Sequence, residues 1–132
     1  MRVPNRVDAL FPAKAEAEAW LQARRASPAA SFLVILAIDE LVTNCIKYGY
    51  DDADEHTIEI TLSEVDETLT MVVADDGHAF NPLRARPPDL SLPIEDRPIG
   101  GLGIHLLREL ADHLAYERRD GTNRLTLTKR MS

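Results

Sequence analysis

Apolar residues recur at helical spacing through the middle of the chain, between Ser27 and Gly49. At about 100° per residue, one wide apolar face is formed by Val34, Ile35, Ile38, Leu41, Val42, Cys45 and Ile46. Other apolar residues continue round the first half, so the pattern predicts a helix that is buried on most sides. Ser27 followed by Pro28 is typical of a helix start, and Gly49 or the acidic run at 51–54 is expected to end the helix.

Three polar residues follow one side of the same predicted helix. Glu40, Asn44 and Lys47 are spaced i, i+4 and i+7, which aligns an acid, an amide and a cation. Polar groups on a mostly buried helix need partners, and a bound ion or ligand is one way to supply them. The alternative is a helix face that opens to solvent.

Alternating apolar and polar residues predict two antiparallel hairpins further along the chain. The apolar positions of the first are Ile58, Ile60 and Leu62, then Leu69, Met71 and Val73 after a polar connection. Those of the second are Leu114 and Tyr116, then Leu125 and Leu127, on either side of Asp120-Gly121. An Asp-Gly dipeptide is typical of a hairpin turn. The first hairpin is expected to place one face on a core.

The remaining segments complete an α+β order. Residues 6–12 alternate roughly and predict a first edge strand ended by Pro12, and residues 14–25 predict a helix. Residues 82–98 hold five of the eight prolines and predict a long loop, either a functional lid or a disordered segment. The helical stripe that follows consists of Gly103, Leu106, Leu107 and Leu110. The predicted fold is an α+β sandwich, with helices on one face of a mixed or antiparallel sheet.

Composition narrows the function classes. The 132 residues predict one domain over 1–132, and 45% hydrophobic with 28% charged residues is ordinary for a globular protein. The net charge of −7 argues against nucleic acid as the main partner. The single cysteine, Cys45, is expected in the core, and the lack of a possible disulfide within the chain fits a reducing cytoplasm. No apolar run of membrane-spanning length and no signal core are recognised, so a cytoplasmic protein without membrane contact is expected.

Two short motifs have the composition of ligand-binding loops. Gly100-Gly101-Leu102-Gly103 precedes a helix, where glycines allow close backbone approach and the helix N-terminus favours phosphate; the alternative is a flexible hinge. Asp75-Asp76-Gly77 ends an apolar strand, where a carboxylate could accept a hydrogen bond from a ligand's exocyclic amine. Gly77 would then leave room for a flat ring, and Phe80 would anchor the following loop to the core. The alternative for this motif is a polar turn.

The polar line on the central helix suits metal and phosphate chemistry. The carboxamide oxygen of Asn44, together with phosphate oxygens, suits Mg²⁺, which takes few protein ligands. The Glu40 carboxylate, one helical turn away, could act as a general base on a hydroxyl or water. Lys47 could meet phosphate as a point charge. The four histidines show no metal-ligand spacing and are expected to be structural or solvated.

In their order along the chain, these motifs resemble the nucleotide-binding boxes of the GHKL ATPase superfamily. They are Glu-x-x-x-Asn on a helix, Asp-x-Gly-x-x-Phe after a strand, and Gly-x-Gly after a long loop. The end of the chain, from Gly100 to Leu127, is similar to one branch, the anti-sigma factor serine kinases of bacterial partner-switching systems. The resemblance runs from Ala30 to Arg130 and implies a Bergerat-type fold. In that fold ATP lies between the helices, under a mobile lid that would comprise residues 82–101 here.

The resemblance implies a role for each matching residue. Glu40 would be the general base and Asn44 the Mg²⁺ ligand, with Lys47 near the phosphates. Asp75 would bind the adenine amino group, with Gly77 beside the ring.

The lid and the last strand would complete the nucleotide site. Gly101, Leu102 and Gly103 would lie near the phosphates, at the start of the helix that follows the lid. Thr126 would lie near the adenine. The arginines of the lid, none of which can be assigned to the γ-phosphate from the sequence, are Arg84, Arg86 and Arg97.

The implied function is that of a Mg-ATP-dependent protein serine/threonine kinase. Its substrate would be an anti-sigma-factor antagonist of the small STAS type, a sigma factor would be a second partner, and the family implies a homodimer. The alternative is a non-catalytic switch module that binds ATP and sequesters a regulatory partner. A detached histidine-kinase catalytic domain would need a phosphoacceptor helix, for which the chain before Ser27 is too short.

Overall fold

The computed structural model describes residues 1–84, 91, 93 and 101–132. Five strands form one sheet in the order β1-β2-β3-β5-β4, and every neighbouring pair is antiparallel. The strands are β1 (Arg2–Pro4), β2 (Thr57–Val65), β3 (Thr68–Asp75), β4 (His113–Arg119) and β5 (Thr122–Arg130). Of the two predicted sheet types, the structure has the antiparallel one.

The helices come from two parts of the chain. They are α1 (Leu10–Ala23), α2 (Pro28–Ala37), a π-helical turn (Ile38–Val42), α3 (Thr43–Tyr48) and α4 (Gly101–Leu110), with short 3-10 turns at Val7–Ala9 and Pro82–Arg84. From α2 to α3 the chain forms one continuous rod, Pro28–Tyr48, here called the central helix. Its predicted start is confirmed, because the Ser27 Oγ accepts a hydrogen bond from the Ala30 N–H at 3.1 Å. Gly49 follows its last residue, as predicted.

The core lies between the central helix and one face of the sheet. Its largest fully buried side chains include Leu33, Ile38, Ile58, Ile60, Leu69, Met71, Leu107 and Leu127. On the other face of β2, Thr57, Glu59 and Thr61 are exposed, which is the alternation expected of a sheet covered on one side. The predicted α+β sandwich is therefore confirmed.

Both hairpins turn through residues with positive φ. Asp66 and Glu67 join β2 to β3 with φ of 51° and 64°, and Asp120 and Gly121 join β4 to β5 with φ of 51° and 75°. Two successive positive φ values define the turn whose twist matches that of the strands. The hairpin predicted around Asp120-Gly121 is confirmed.

The N-terminal segment differs from its prediction. The edge strand is β1, a 3-10 turn follows, and α1 already begins at Leu10. The strand predicted at 6–12 is wrong, because Val7 and Phe11 are 71% and 78% exposed instead of packing on the core. Pro12 lies in the first turn of α1, where its missing N–H costs no helical hydrogen bond.

The central helix also corrects the expectation about membrane-spanning length. Pro28–Tyr48 has a mean hydropathy of 1.8 over its best 18 residues, so by length and composition it could cross a membrane. Many of its apolar side chains are instead buried against the sheet and the other helices. A core helix passes the same test of hydropathy, and the pattern therefore gives no indication of a membrane protein.

Candidate functional site

A cleft opens between the end of the central helix and the ends of β3 and β5. Its polar and aromatic lining consists of Asn44, Asp75, His78, Asn123, Tyr48, Phe80 and Tyr116. Aromatic walls with a few polar groups suit a flat heterocyclic ligand.

Asp75 lies at the end of β3 and lines this cleft. Its Oδ1 accepts hydrogen bonds from the Gly77 N–H at 2.9 Å and from the Asn123 Nδ2 at 3.0 Å. Two donors on one oxygen hold the orientation of the carboxylate. Asp75 is therefore placed to accept a hydrogen bond from an amino group of a ligand in the cleft.

Asn123 is a site residue that sequence reasoning missed. It is 6% exposed, and among the described residues it is the polar side chain that is buried with the core. Its Nδ2 donates to Asp75 and to the His78 carbonyl, and its Oδ1 accepts from the Tyr116 hydroxyl and, at 3.4 Å, from the Phe80 N–H. The signal was present in the sequence, because Asn123 is a polar residue on the same face of β5 as Leu125.

Thr126 is not brought to the cleft, which corrects the predicted site. Leu125 and Leu127 are buried on the helix-facing side of β5, so Thr126 lies on the opposite face, between Val72 and Ala115 of the neighbouring strands. The cleft is lined from β5 by Asn123 and Leu125 instead.

The loop after Asp75 differs from its prediction at Phe80. A Cβ added to Gly77 would lie 2.6 Å from the Gly49 carbonyl oxygen, so glycine at position 77 allows the loop to approach the residue that follows the central helix. The His78 N–H donates to the same Gly49 oxygen at 2.7 Å. Phe80 is 46% exposed and lines the cleft, so its predicted role as an anchor in the core is wrong.

Tyr50 and Asp51, which follow the central helix, contact this loop through their side chains. The Tyr50 hydroxyl donates to Asp76 Oδ1 at 2.7 Å, and His78 Nε2 lies 3.0 Å from Asp51 Oδ2. Tyr50 also stacks on the His56 ring, with 3.7 Å between centroids. Asp76 and Asp75 therefore have different roles, because Asp76 bonds to Tyr50 and holds the loop whereas Asp75 lines the cleft.

Glu40 lies in the π-helical turn and faces α4. A Cβ on Gly103 would overlap the Glu40 carboxyl group, so glycine at position 103 leaves room for this carboxyl group in its observed position. Burial raises the pKa of the Glu40 carboxyl, the charge of Asp39 raises it further, and Lys47 opposes both. A raised pKa makes a carboxylate a stronger base.

The other predicted site residues are distributed as follows. Asn44 lines the cleft from α3. Lys47 is exposed in the last turn of α3, where its charge acts on Glu40 but its side chain does not line the cleft. Gly101 and Leu102 are the first two residues of α4.

Most of the predicted lid at 82–101 lies outside the described residues, as do Arg86 and Arg97. Its described start is a 3-10 turn that ends at Arg84, which is exposed. The Leu83 carbonyl in this turn accepts a hydrogen bond from Arg108 of α4.

Cys45 forms part of the cleft wall and is 7% exposed, which confirms its predicted burial. Burial raises the pKa of its thiol to about 12, and the charge of Asp75 adds to the effect. A thiol that stays protonated at neutral pH is a poor nucleophile, so Cys45 shapes the cleft and does not react in it.

The side chains of this site that could bind a metal ion would do so through oxygen atoms. Within the described part of the chain, no group of three or more His, Cys, Asp and Glu side chains could hold one. The amide oxygen of Asn44, with the Glu40 carboxylate one turn away, fits Mg²⁺, which keeps several waters and takes further ligands from phosphate.

Known proteins are similar to this chain over most of its length. The family described as histidine kinase-like ATPase domain matches residues 3–129. The serine/threonine-protein kinase BtrW of Bordetella bronchiseptica is 34% identical over 97 residues, which are 74% of this chain and 68% of that protein. The serine-protein kinase RsbW of Bacillus cereus is 34% identical over 90 residues, which are 65% of this chain and 56% of that protein.

Solved structures are similar in fold. The RsbU and RsbW domains of a Mycobacterium tuberculosis protein match with a TM-score of 0.66 at 18% identity, over 99% of this chain and 32% of that one. The histidine kinase domain of a blue-light activated histidine kinase from Erythrobacter litoralis matches with a TM-score of 0.55 at 17% identity, over 78% of this chain and 45% of that one. At these identities the likeness concerns the fold alone.

Proposed function

The chain belongs to the histidine kinase-like ATPase domain family, and on this premise we propose that it is a Mg-ATP-dependent protein serine/threonine kinase. The observation that carries the proposal is the single cleft that Asn44 lines from the central helix and Asp75 lines from β3. An amide oxygen for a cation and a carboxylate for an amino group are the two contacts that a bound Mg-ATP needs at its opposite ends. Relatives that match the chain over about two thirds or more of its length are named serine kinases.

The base of ATP would bind among the aromatic side chains of the cleft. Asp75 would accept a hydrogen bond from the amino group of adenine, and Asn123 would hold the Asp75 carboxylate in place. Tyr48, Phe80 and Tyr116 would exclude water from the ring. The phosphates would extend towards Asn44 and the start of α4, where free backbone N–H groups favour negative charge.

Phosphoryl transfer would use Glu40 as the base. Its carboxylate takes the proton of a serine hydroxyl, the hydroxyl oxygen bonds to the γ-phosphorus, and the bond from this phosphorus to the bridging oxygen breaks, so that ADP leaves with the electron pair. Most of the rate acceleration comes from positioning and from electrostatic stabilisation. Lys47 would add positive charge near the phosphates.

Asn44 would hold the Mg²⁺ ion that enters with ATP. When bound, the ion would offset negative charge on the phosphates. The protein would contribute the amide oxygen of Asn44 to hold it.

The proposed substrate is a small STAS-domain antagonist of an anti-sigma factor, and a sigma factor is the proposed second partner. Both follow from the resemblance of the site motifs to the partner-switching kinases, and action in the cytoplasm as a homodimer is proposed on the same ground. The net charge of −7 supports a protein partner over nucleic acid.

The test is a transfer assay in which the purified protein is mixed with Mg-ATP and with a STAS-domain protein encoded in the same genome. Phosphoserine on the STAS protein, detected by mass spectrometry, is the expected product. Asn44→Ala is expected to abolish Mg-ATP binding, whereas Glu40→Ala keeps binding and loses transfer, and circular dichroism checks that both variants fold. ATP binding without transfer in the unaltered protein would identify a nucleotide-dependent switch module instead.

A further inference from the structure

The turn that carries Glu40 is held by a helix that does not line the cleft. Lys14 of α1 places its Nζ 2.9 Å from Oδ1 of Asp39, the residue next to Glu40. Helix α1 also packs directly against this π-helical turn. Two consecutive residues of one turn therefore face two different helices, Asp39 towards α1 and Glu40 towards Gly103 of α4.

A π-helical turn needs support from its surroundings. Such a turn contains one residue more than the corresponding turn of an α-helix, and it is rare in proteins. The examples that do occur are frequently found at functional sites. Here the Thr43 N–H lies within bonding reach of the carbonyls of both Asp39 and Glu40. If the turn relaxed to an α-helix, the direction of a side chain within it would change by up to about 100°.

The contact at Gly103 makes the direction of Glu40 critical. The carboxyl group lies where a Cβ of residue 103 would be, so a rotation of the turn would take the carboxylate out of this contact.

We propose that Lys14 is a positioning residue, whose ion pair with Asp39 holds the π-helical turn in the geometry that presents Glu40 to the phosphoryl acceptor. The inference rests on the proposed function of Glu40 as the general base. Lys14 touches neither nucleotide nor acceptor in this arrangement and acts only through Asp39.

Because the Lys14–Asp39 ion pair is partly exposed, its loss is expected to affect the π-helical turn and not the stability of the whole protein. The side chains of Lys14 and Asp39 are 29% and 42% exposed, and ion pairs of this kind contribute little to the free energy of unfolding. Loss of the pair should therefore leave the stability nearly unchanged, and its effect is expected in the geometry of the turn and in the transfer rate. Lys129 offers a matched control, because its Nζ lies 3.9 Å from Oδ1 of Asp112 with similar exposure, 22% and 42%, away from the turn.

The first experiment measures single-turnover transfer, ATP affinity and thermal stability at about pH 8, where a glutamate carboxyl is ionised. Lys14→Met is expected to slow transfer about threefold to fivefold, because an exposed ion pair can bias the geometry of the turn only by a factor of that order. ATP affinity and stability should stay close to those of the unaltered protein, as they should in Lys129→Met. The exchanged pair Lys14→Asp with Asp39→Lys should recover most of the rate.

The second experiment measures the turn itself, through amide hydrogen exchange at residues 38–43. Lys14→Met is expected to speed exchange there, and the exchanged pair should restore protection, whether or not the protein transfers phosphate. Unchanged exchange in Lys14→Met overturns the proposal, as does an equal loss of rate in Lys129→Met. An unaltered protein that binds ATP without transfer overturns the kinase function, and the exchange experiment then still decides whether Lys14 holds the turn.

Discussion

At the scale of single residues, Asn123 connects several parts of the site through hydrogen bonds. One buried amide connects the strand end at Asp75, the backbone of the following loop and the Tyr116 hydroxyl on β4. A fully bonded buried amide stabilises a structure, whereas removing it leaves each of its partners unpaired. The orientation of Asp75 thus depends on a residue 48 positions away in the sequence.

Asn123→Leu should be strongly destabilising. The substitution keeps the branched shape but leaves the partners of the amide without hydrogen bonds, so we expect the free energy of unfolding to fall by about 2–3 kcal/mol. Tyr116→Phe removes one hydrogen bond and should cost only about 1 kcal/mol. Urea unfolding of both variants provides the measurement, and an equal loss in the two would contradict a central role for Asn123.

Glu40 should make the stability depend on pH in a defined direction. Its pKa is raised in the folded protein, mainly by burial, so folding favours the neutral carboxyl and the ionised form lowers stability. This loss of stability is fully present above the pKa that Glu40 has in the folded protein. It disappears as the pH falls to the pKa that Glu40 has in the unfolded protein. Glu40→Gln, which is neutral throughout, should be more stable than the unaltered protein at about pH 8 and lose this advantage by about pH 4.

The control for this prediction is Glu18→Gln, on the exposed side of α1. Urea unfolding at the two pH values should show no comparable difference for it. An advantage of Glu40→Gln that is equal at both pH values would mean that ionisation of Glu40 is not its cause.

At the scale of elements, the site depends on how α4 rests on the π-helical turn. Alanine is favoured over glycine within a helix by about 1 kcal/mol, yet position 103 holds glycine because the Glu40 carboxyl occupies the place of a Cβ. The overlapping atoms belong to the end of a flexible side chain, so a methyl group would displace Glu40 at little energetic cost.

Gly103→Ala should therefore separate stability from catalysis. We expect thermal stability equal to or slightly above that of the unaltered protein and a phosphoryl transfer rate reduced at least about tenfold, because the base is moved. Thermal unfolding and single-turnover transfer measure the two effects. A variant that transfers phosphate at the normal rate would show that the position of Glu40 beside Gly103 is not the one used in the reaction.

At the scale of the whole molecule, nucleotide binding and folding are linked. A ligand that binds only the folded chain stabilises it by about 2.7 kcal/mol at 100 times its dissociation constant. The cleft lies between the central helix and the sheet, so this stabilisation should appear in global unfolding.

Mg-ATP should raise the free energy of unfolding of the unaltered protein, and removal of Mg²⁺ with a chelator should reverse most of the increase. Asp75→Asn should abolish the effect, because its amide oxygen would stay with the donors of Gly77 and Asn123 and its NH₂ group, a donor, would face the adenine amino group. Asp76→Asn is the matched control, since Asp76 bonds to Tyr50 outside the cleft and the response to Mg-ATP should remain. Equal responses of the two variants would exclude Asp75 as the nucleotide-binding carboxylate.

The elements and the order of the motifs were predictable from the sequence alone. The central helix, its Ser27 cap, both hairpins and the burial of Cys45 follow from the spacing of apolar residues and from turn chemistry. These features depend on neighbouring residues, because backbone periodicity and local capping act within a few positions. The same reasoning failed at 6–12, where a short alternation is shared by strands and by exposed helix starts.

Tertiary structure alone decided which side chains meet. Because side chains alternate along β5, Asn123 and not Thr126 lies at the cleft, and Gly77 lies close to Gly49, which is 28 positions earlier in the chain. The Lys14–Asp39 pair likewise joins helices whose relative position no local pattern defines. Such contacts depend on the orientation of one layer of the fold against the other, and that orientation is a property of the packed core as a whole.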